Sequence, residues 1–180
     1  MNGPTGTTAL FPAILGASFS DLDARVRRVH GGQSGQWSGT ASIERGKSYL
    51  AQIACAMVGL PADAICAPVI VDIETDGTTE HWTRRFAGSR PMRSTLARQG
   101  TWLKERLGPA TLIFTLAKRE GGIDWRLERI YALGFRLPRV LFAVSAHSGY
   151  SAAGYRFVVE AGLRGVGRLI RYEGEFDVDH

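Results

Sequence analysis

The sequence predicts an α+β fold: a large, curved antiparallel β-sheet or partly closed β-barrel of about eight strands, with two helices near the N-terminus. Three observations predict it. Helical spacing of apolar residues is confined to the part before Pro61. From Val69 onward, short alternating runs follow one another, separated by Gly, Pro and Asp-Gly breaks. Runs of strands with few intervening helices pack as an antiparallel sheet that curves or closes.

Residues 1–9 are rich in Gly and Thr and are expected to be a disordered segment, leaving 10–178 as a single α+β domain. Leu10, Phe11 and Pro12 are placed to dock that segment. A short helix follows, with Ser20 as its cap and Asp21 and Asp23 in its first turn, where the helix dipole favours acids. Phe19, Leu22, Val26 and Val29 recur at helical spacing, and Gly31-Gly32 ends the run. That puts His30 at the helix C-terminus, where a protonated imidazole is favoured. Trp37 to Arg45 alternates like a strand. Lys47 to Val58 is the strongest helix, with Tyr49, Leu50, Ile53, Ala54, Met57 and Val58 as its apolar stripe and Gly59 then Pro61 as its stop.

Val69 to Thr75 and Thr78 to Phe86 form a hairpin about Asp76-Gly77. Arg93 to Arg98 and Thr101 to Leu107 are shorter strands. Thr111 to Lys118 and Asp124 to Leu133 form a second hairpin, with Trp125, Leu127, Arg129 and Tyr131 sharing one face. Pro138 to His147 reads as one helix or an irregular crossing, and Ser148 to Gly154 as a loop. Tyr155 to Gly162 and Arg168 to Phe176 are the last strands, before an acidic tail.

Composition narrows the function classes. The chain has 180 residues, 22 Lys and Arg against 17 Asp and Glu, and a formal net charge of +5. The cations are dispersed, so nucleic acid is not the expected partner. Cys55 and Cys66 lack the spacing of a redox pair, and Cys55 reads as a small core residue. Four scattered histidines give no converging metal set, so no metal or other cofactor is expected. Gly31, Gly32 and Gly35 do not join a strand to a helix as a dinucleotide fingerprint does. No apolar run reaches the ~20 residues of a membrane helix, so no membrane partner is expected. Met1 to Thr8 lacks a signal peptide's charged and apolar regions. Cytoplasm is the expected compartment.

The stretch that carries chemistry is Thr79 to Phe86. On a strand, Glu80, Trp82, Arg84 and Phe86 share one face. If that face points inward, Glu80 and Arg84 each need a partner, because a lone buried charge is very costly. Glu44, Glu105, Arg106, Arg129, Glu160 and Arg171 are available on other strands. If it points outward, the same residues are a cross-strand ion-pair ladder. Tyr155, Phe157, Tyr172 and Phe176 read as core or pocket wall. His147, with Ser145 and Tyr150, has the residue types for nucleophilic chemistry but no nucleophile-elbow pattern.

A set of spaced motifs resembles a known family. They are His30 after the basic helix, Glu44-Arg45-Gly46, Leu60-Pro61 and Glu80-x-Trp82-x-Arg84-x-Phe86. Glu105-Arg106-x-Gly108-Pro109, Gly134-x-x-Leu137-Pro138 and Gly167-x-x-x-x-Tyr172-x-Gly174 continue it. Over Leu10 to Val178 the chain is similar to the bacterial family catalogued as domain of unknown function 4166. The resemblance implies a domain that stands alone or is fused behind saccharopine-dehydrogenase-like reductase modules, and hence a reductase partner. It carries over no activity and no catalytic residue. Unlike the family habit, Val140 to His147 holds no proline.

The expected function is a binding module whose sheet encloses a small, largely apolar molecule, with Arg84 available to an anionic group. Its ligand-binding residues are expected to be Glu80, Trp82, Arg84, Phe86, Glu105, Arg129, Tyr155 and Tyr172. One alternative is an enzyme using the same cavity, with Glu80 or His30 as acid or base and Arg84 stabilising an anion. The other is a structural or docking domain accessory to a reductase.

Overall fold

The computed structural model describes residues 8–178. Among these, eleven strands form one antiparallel sheet. They are β1 (Gly35–Arg45), β2 (Ala64–Thr75), β3 (Thr79–Phe86), β4 (Met92–Gln99), β5 (Trp102–Leu107) and β6 (Ala110–Arg119). Then come β7 (Gly122–Ala132), β8 (Phe135–Leu137), β9 (Phe142–Ser151), β10 (Gly154–Leu163) and β11 (Gly167–Phe176). The sheet closes. β1 pairs with β11, β6 with β7, and β7 with β9, so ten strands ring the core and β8 lies outside the ring. The expected count of about eight is too low because β9 does not read as a strand and the long hairpins tie every edge into the ring.

The closing seam is split. β7 pairs with β9 from Ile123 to Arg126 and with β8 from Ile130 to Ala132. Between the two, the Leu127 carbonyl accepts 2.6 Å from Arg139 Nε, which satisfies a backbone group that neither strand reaches.

Among the described residues there are also three α-helices: α1 (Leu10–Leu15), α2 (Ala24–His30) and α3 (Tyr49–Val58). α1 is a helix the sequence does not predict. α2 starts later than expected because Asp23, not Ser20, caps it, accepting 2.9 Å from Arg25 N. Of the expected N-terminal segment, Ala9 is the N-cap of α1, while residues 1–7 fall outside the described residues. α1 and α2 plug one end of the barrel. Phe11, Val26, Val29 and His30 are all buried there. Asp23 N donates to Gly121 O in the β6–β7 turn (2.8 Å), and the Arg25 guanidinium donates to Ser151 O in the β9–β10 turn. Val178, in the acidic C-terminal stretch and the last residue of the expected domain, is buried in the core.

α3 crosses the opposite end. Ser48 caps it and Gly59 stops it in the left-handed region, φ 75°. Its buried face is Ala51 and Cys55, with the Cys55 thiol donating to Leu169 O. Tyr49, Leu50, Ile53 and Met57, read from sequence as the core stripe, face solvent. The helix is apolar on both sides, so spacing alone does not say which side packs.

Pro138 to His147 is neither a helix nor irregular: a 3-10 turn at Arg139–Leu141 leads into β9. Phe142, Val144, Ala146 and Ser148 alternate on its inner face, which is the signal of a strand.

β1 and β11 coil tightly where Gly39 pairs with Phe176. A Cβ at Gly39 would run into the Glu175 carbonyl. Gly39→Ala is expected to cost on the order of 2–4 kcal/mol by forcing the strands apart. Urea unfolding checks this, and a change under about 0.5 kcal/mol would show that the strands separate freely.

Candidate functional site

The inner faces of the strands enclose a cavity of about 250 Å³. Its walls are mainly aliphatic and aromatic. α3 contributes Ala54 and Val58 at one end, and Trp82, Trp125, Ser148 and Tyr155 form the floor above the α1–α2 plug.

The face of β3 is inward. Glu80, Trp82 and Phe86 are buried, and Arg84 is half-buried with its head group against the wall. Arg84 Nη2 lies 3.5 Å from Glu105 Oε1 across β4, and Nη1 donates to Ser94 Oγ at 2.9 Å. The guanidinium carbon also sits 4.8 Å from the centre of the Trp82 ring. Arg84 and Glu105 are thus a largely desolvated pair in an apolar wall.

Among the described residues, Glu80 has no cross-strand partner. Its Oε2 accepts 2.8 Å from Trp82 Nε1 on the same strand, and Oε1 has no hydrogen bond. With 1% of its surface exposed, loss of hydration pushes the carboxyl up from 4.5 to about 7, against the smaller lowering by the indole N–H. Glu80 sits behind Trp82 and does not line the cavity.

His30 is buried as well, not capping carbonyls in water. Its ring packs 4.2 Å from Phe11 and 5.6 Å from Trp82. Desolvation, reinforced by the charge of Arg84, drives its pKa from 6.5 down to about 3. The imidazole is therefore neutral, which corrects the protonated helix-end reading. Tyr155 OH donates to Ser148 Oγ (2.9 Å), which also accepts from Trp125 Nε1 (3.2 Å). Because the Tyr155 proton goes to Ser148, His30 Nε2 donates to the Tyr155 oxygen at 3.0 Å. That leaves His30 Nδ1 bare, as found. Burial also raises the phenols of Tyr155 and Tyr172, so both stay protonated.

Of the residues singled out in sequence, Trp82, Arg84, Phe86, Glu105, Tyr155 and Tyr172 lie on this cavity. Arg129 does not. Pairing shifts between Phe114–Leu127 and Ile113–Arg129, so Glu128 is an extra residue on β7. After this bulge Ile130 takes the inward position, and the Arg129 guanidinium lies 4.5 Å from the Trp102 ring instead. Ser148 escapes sequence reading because its segment reads as a loop. His147 pairs with Asp124 (2.6 Å) across β7 and β9. Ser145, two residues away on a strand, is about 6.5 Å distant along the chain, beyond hydrogen-bond reach.

Among the described residues, no helix is long and apolar enough to cross a membrane. Among solved structures, the chain is similar to the zebrafish ileal bile acid-binding protein complexed with cholic acid. The identity is 11%, the TM-score 0.41, and the overlap covers 79% of this chain and 96% of that one. No curated protein matches. The family model described as Domain of unknown function (DUF4166) matches residues 22–176, and the chain belongs to that family.

Proposed function

We propose that the barrel is a binding module for a small, largely apolar molecule. The cavity carries this reading. Protein interiors pack to crystal density. At about 24 cal/mol per Å³, a dry void of 250 Å³ costs roughly 6 kcal/mol, comparable with a domain's whole stability. A void of that cost is more than packing slack. By the scale of a cavity of about 150 Å³ that takes benzene, it suits about ten non-hydrogen atoms. Among the described residues, Arg84 is the one Arg or Lys in the wall. Glu105 offsets part of its charge, so an anionic end group is accepted there but not required. Glu80, shielded behind Trp82, supports the wall rather than touching the ligand.

Decanoate and decanol test this, since they differ in charge but hardly in shape. Calorimetric titration is expected to detect both, with decanoate the tighter. Ala146→Trp, which fills the cavity from β9, is expected to weaken both at least tenfold while circular dichroism stays unchanged. Native mass spectrometry of protein purified from its host is expected to show a co-purified small molecule. Equal binding by Ala146→Trp, or no binding of either probe and no co-purified mass, would overturn the reading.

A further inference from the structure

We propose that the α3 end of the barrel docks on an anionic lipid bilayer surface. This goes beyond the cavity reading and can fail without it. Several hydrogen bonds place five connections at this end. Gly46 N donates to Leu169 O, Leu133 N to Pro109 O, and Arg164 N to Leu141 O. The segments brought together are 45–63, 87–91, 108–109, 133–141 and 164–166, the turns opposite the α1–α2 plug.

Large apolar side chains stand exposed on them. On α3 these are Tyr49, Leu50 (61% exposed) and Met57. On the β7–β8 turn and beyond it they are Leu133, Phe135 (75%) and Val140. Ordinary monomers scatter such residues singly, whereas several at one end mark an interaction site. α3 holds no charged residue from Tyr49 to Val58. A helix apolar all round is covered by protein or by lipid. Its inner side covers the cavity, and its outer side is left over.

Charge selects the occupant. The 133–141 connection carries Arg136 and Arg139 and no acid. The 87–91 turn carries Arg90, and Arg164 sits in the β10–β11 turn, again without an acid. Arg45 and Lys47 precede α3, and Asp63 is the one acid on these five segments. The opposite end is mixed, with Asp21, Asp23, Asp76 and Glu120 among its cations. A ring of Arg and Lys around apolar tips fits an anionic headgroup layer with acyl chains beneath it. A second copy of this chain would set cation against cation. The expectation of no membrane partner rests on the absence of a spanning run, but surface docking needs no span. Docked this way, the α3 side of the cavity faces the bilayer.

The test uses the full chain and vesicles of phosphatidylcholine with and without phosphatidylglycerol, with no small molecule added. Sedimentation is expected to show binding to the anionic vesicles, at least tenfold weaker to the neutral ones and weakened by salt. Leu50→Asp with Phe135→Asp, both at exposed positions, is expected to reduce binding at least tenfold. Lys47→Glu with Arg136→Glu does the same. Arg98→Glu, at the other end of the barrel, leaves binding within twofold. Absence of binding, equal binding to both vesicles, no effect of the α3-end variants, or an equal effect of Arg98→Glu each overturns the proposal. So does a dimer that the apolar variants dissociate while vesicles stay unbound. Because no ligand is present, failure of the cavity reading leaves this result untouched.

Discussion

Glu80→Gln is expected to make the protein more stable than wild type at pH 8 and no more stable at pH 4. The folded carboxyl titrates near 7 and the unfolded one near 4.5. Between those values the folded state holds a proton that the unfolded state has released. Stability therefore falls as pH rises from 4.5 to 7 and is flat above. The full loss is roughly 3 kcal/mol at 1.36 kcal/mol per unit. The amide that replaces the carboxyl finds no acceptor at the bare Oε1 position, which takes back about 1 kcal/mol. The net gain at pH 8 is about 2 kcal/mol. His30 acts with the opposite sign. Its folded pKa of about 3 lies below the ordinary 6.5, so stability is complete above 6.5 and is lost as pH falls to 3, by roughly 5 kcal/mol. From pH 4.5 to 6.5 the two slopes cancel in the wild type. Urea unfolding across pH is expected to show a plateau there. In Glu80→Gln the plateau becomes a rise with pH, and in His30→Phe a fall. Superimposable profiles for wild type and both variants would mean that neither group is titrated by folding.

Arg84→Met is expected to destabilise the fold by about 3 kcal/mol at pH 7. It leaves the Glu105 carboxylate in an apolar wall with its cation gone, and a broken pair costs far more than an absent one. The two side chains are each 12% exposed, so water supplies little of the missing solvation. Adding Glu105→Leu is expected to restore stability to within about 1 kcal/mol of wild type, since well-packed apolar replacements of buried pairs are often neutral. A double-mutant cycle by urea unfolding measures the coupling. A coupling below about 0.5 kcal/mol would mean that the cavity is wet enough to screen both charges.

Legibility followed the range of the interactions involved. That Glu80, Trp82, Arg84 and Phe86 share one face of β3 was readable because alternation is a local property, whereas the inward direction of that face was left open because closure of the barrel sets it. The partner of Glu80 was not, because a buried acid on a strand points to neighbouring strands, while here the long indole reaches back along its own. Arg129 went astray at one extra residue. A β-bulge leaves little trace in a sequence, yet reverses every face after it. The Phe142 to Ser148 alternation was present but diluted by Ala143, Ala146 and Gly149, whose small side chains mark neither face.

By itself, the sequence determined the type of nearly every element from α2 to β11, the hairpins and the helix stops. These depend on neighbours within a few positions, through alternation, capping and glycine turns. Only the tertiary structure decided that the sheet closes, that α3 turns its larger apolar side to solvent, that His30 is held neutral, and that the Glu80 carboxyl titrates near 7. Those outcomes depend on which distant surfaces exclude water from a group, and exclusion of water is set by the closed barrel rather than by any local spacing.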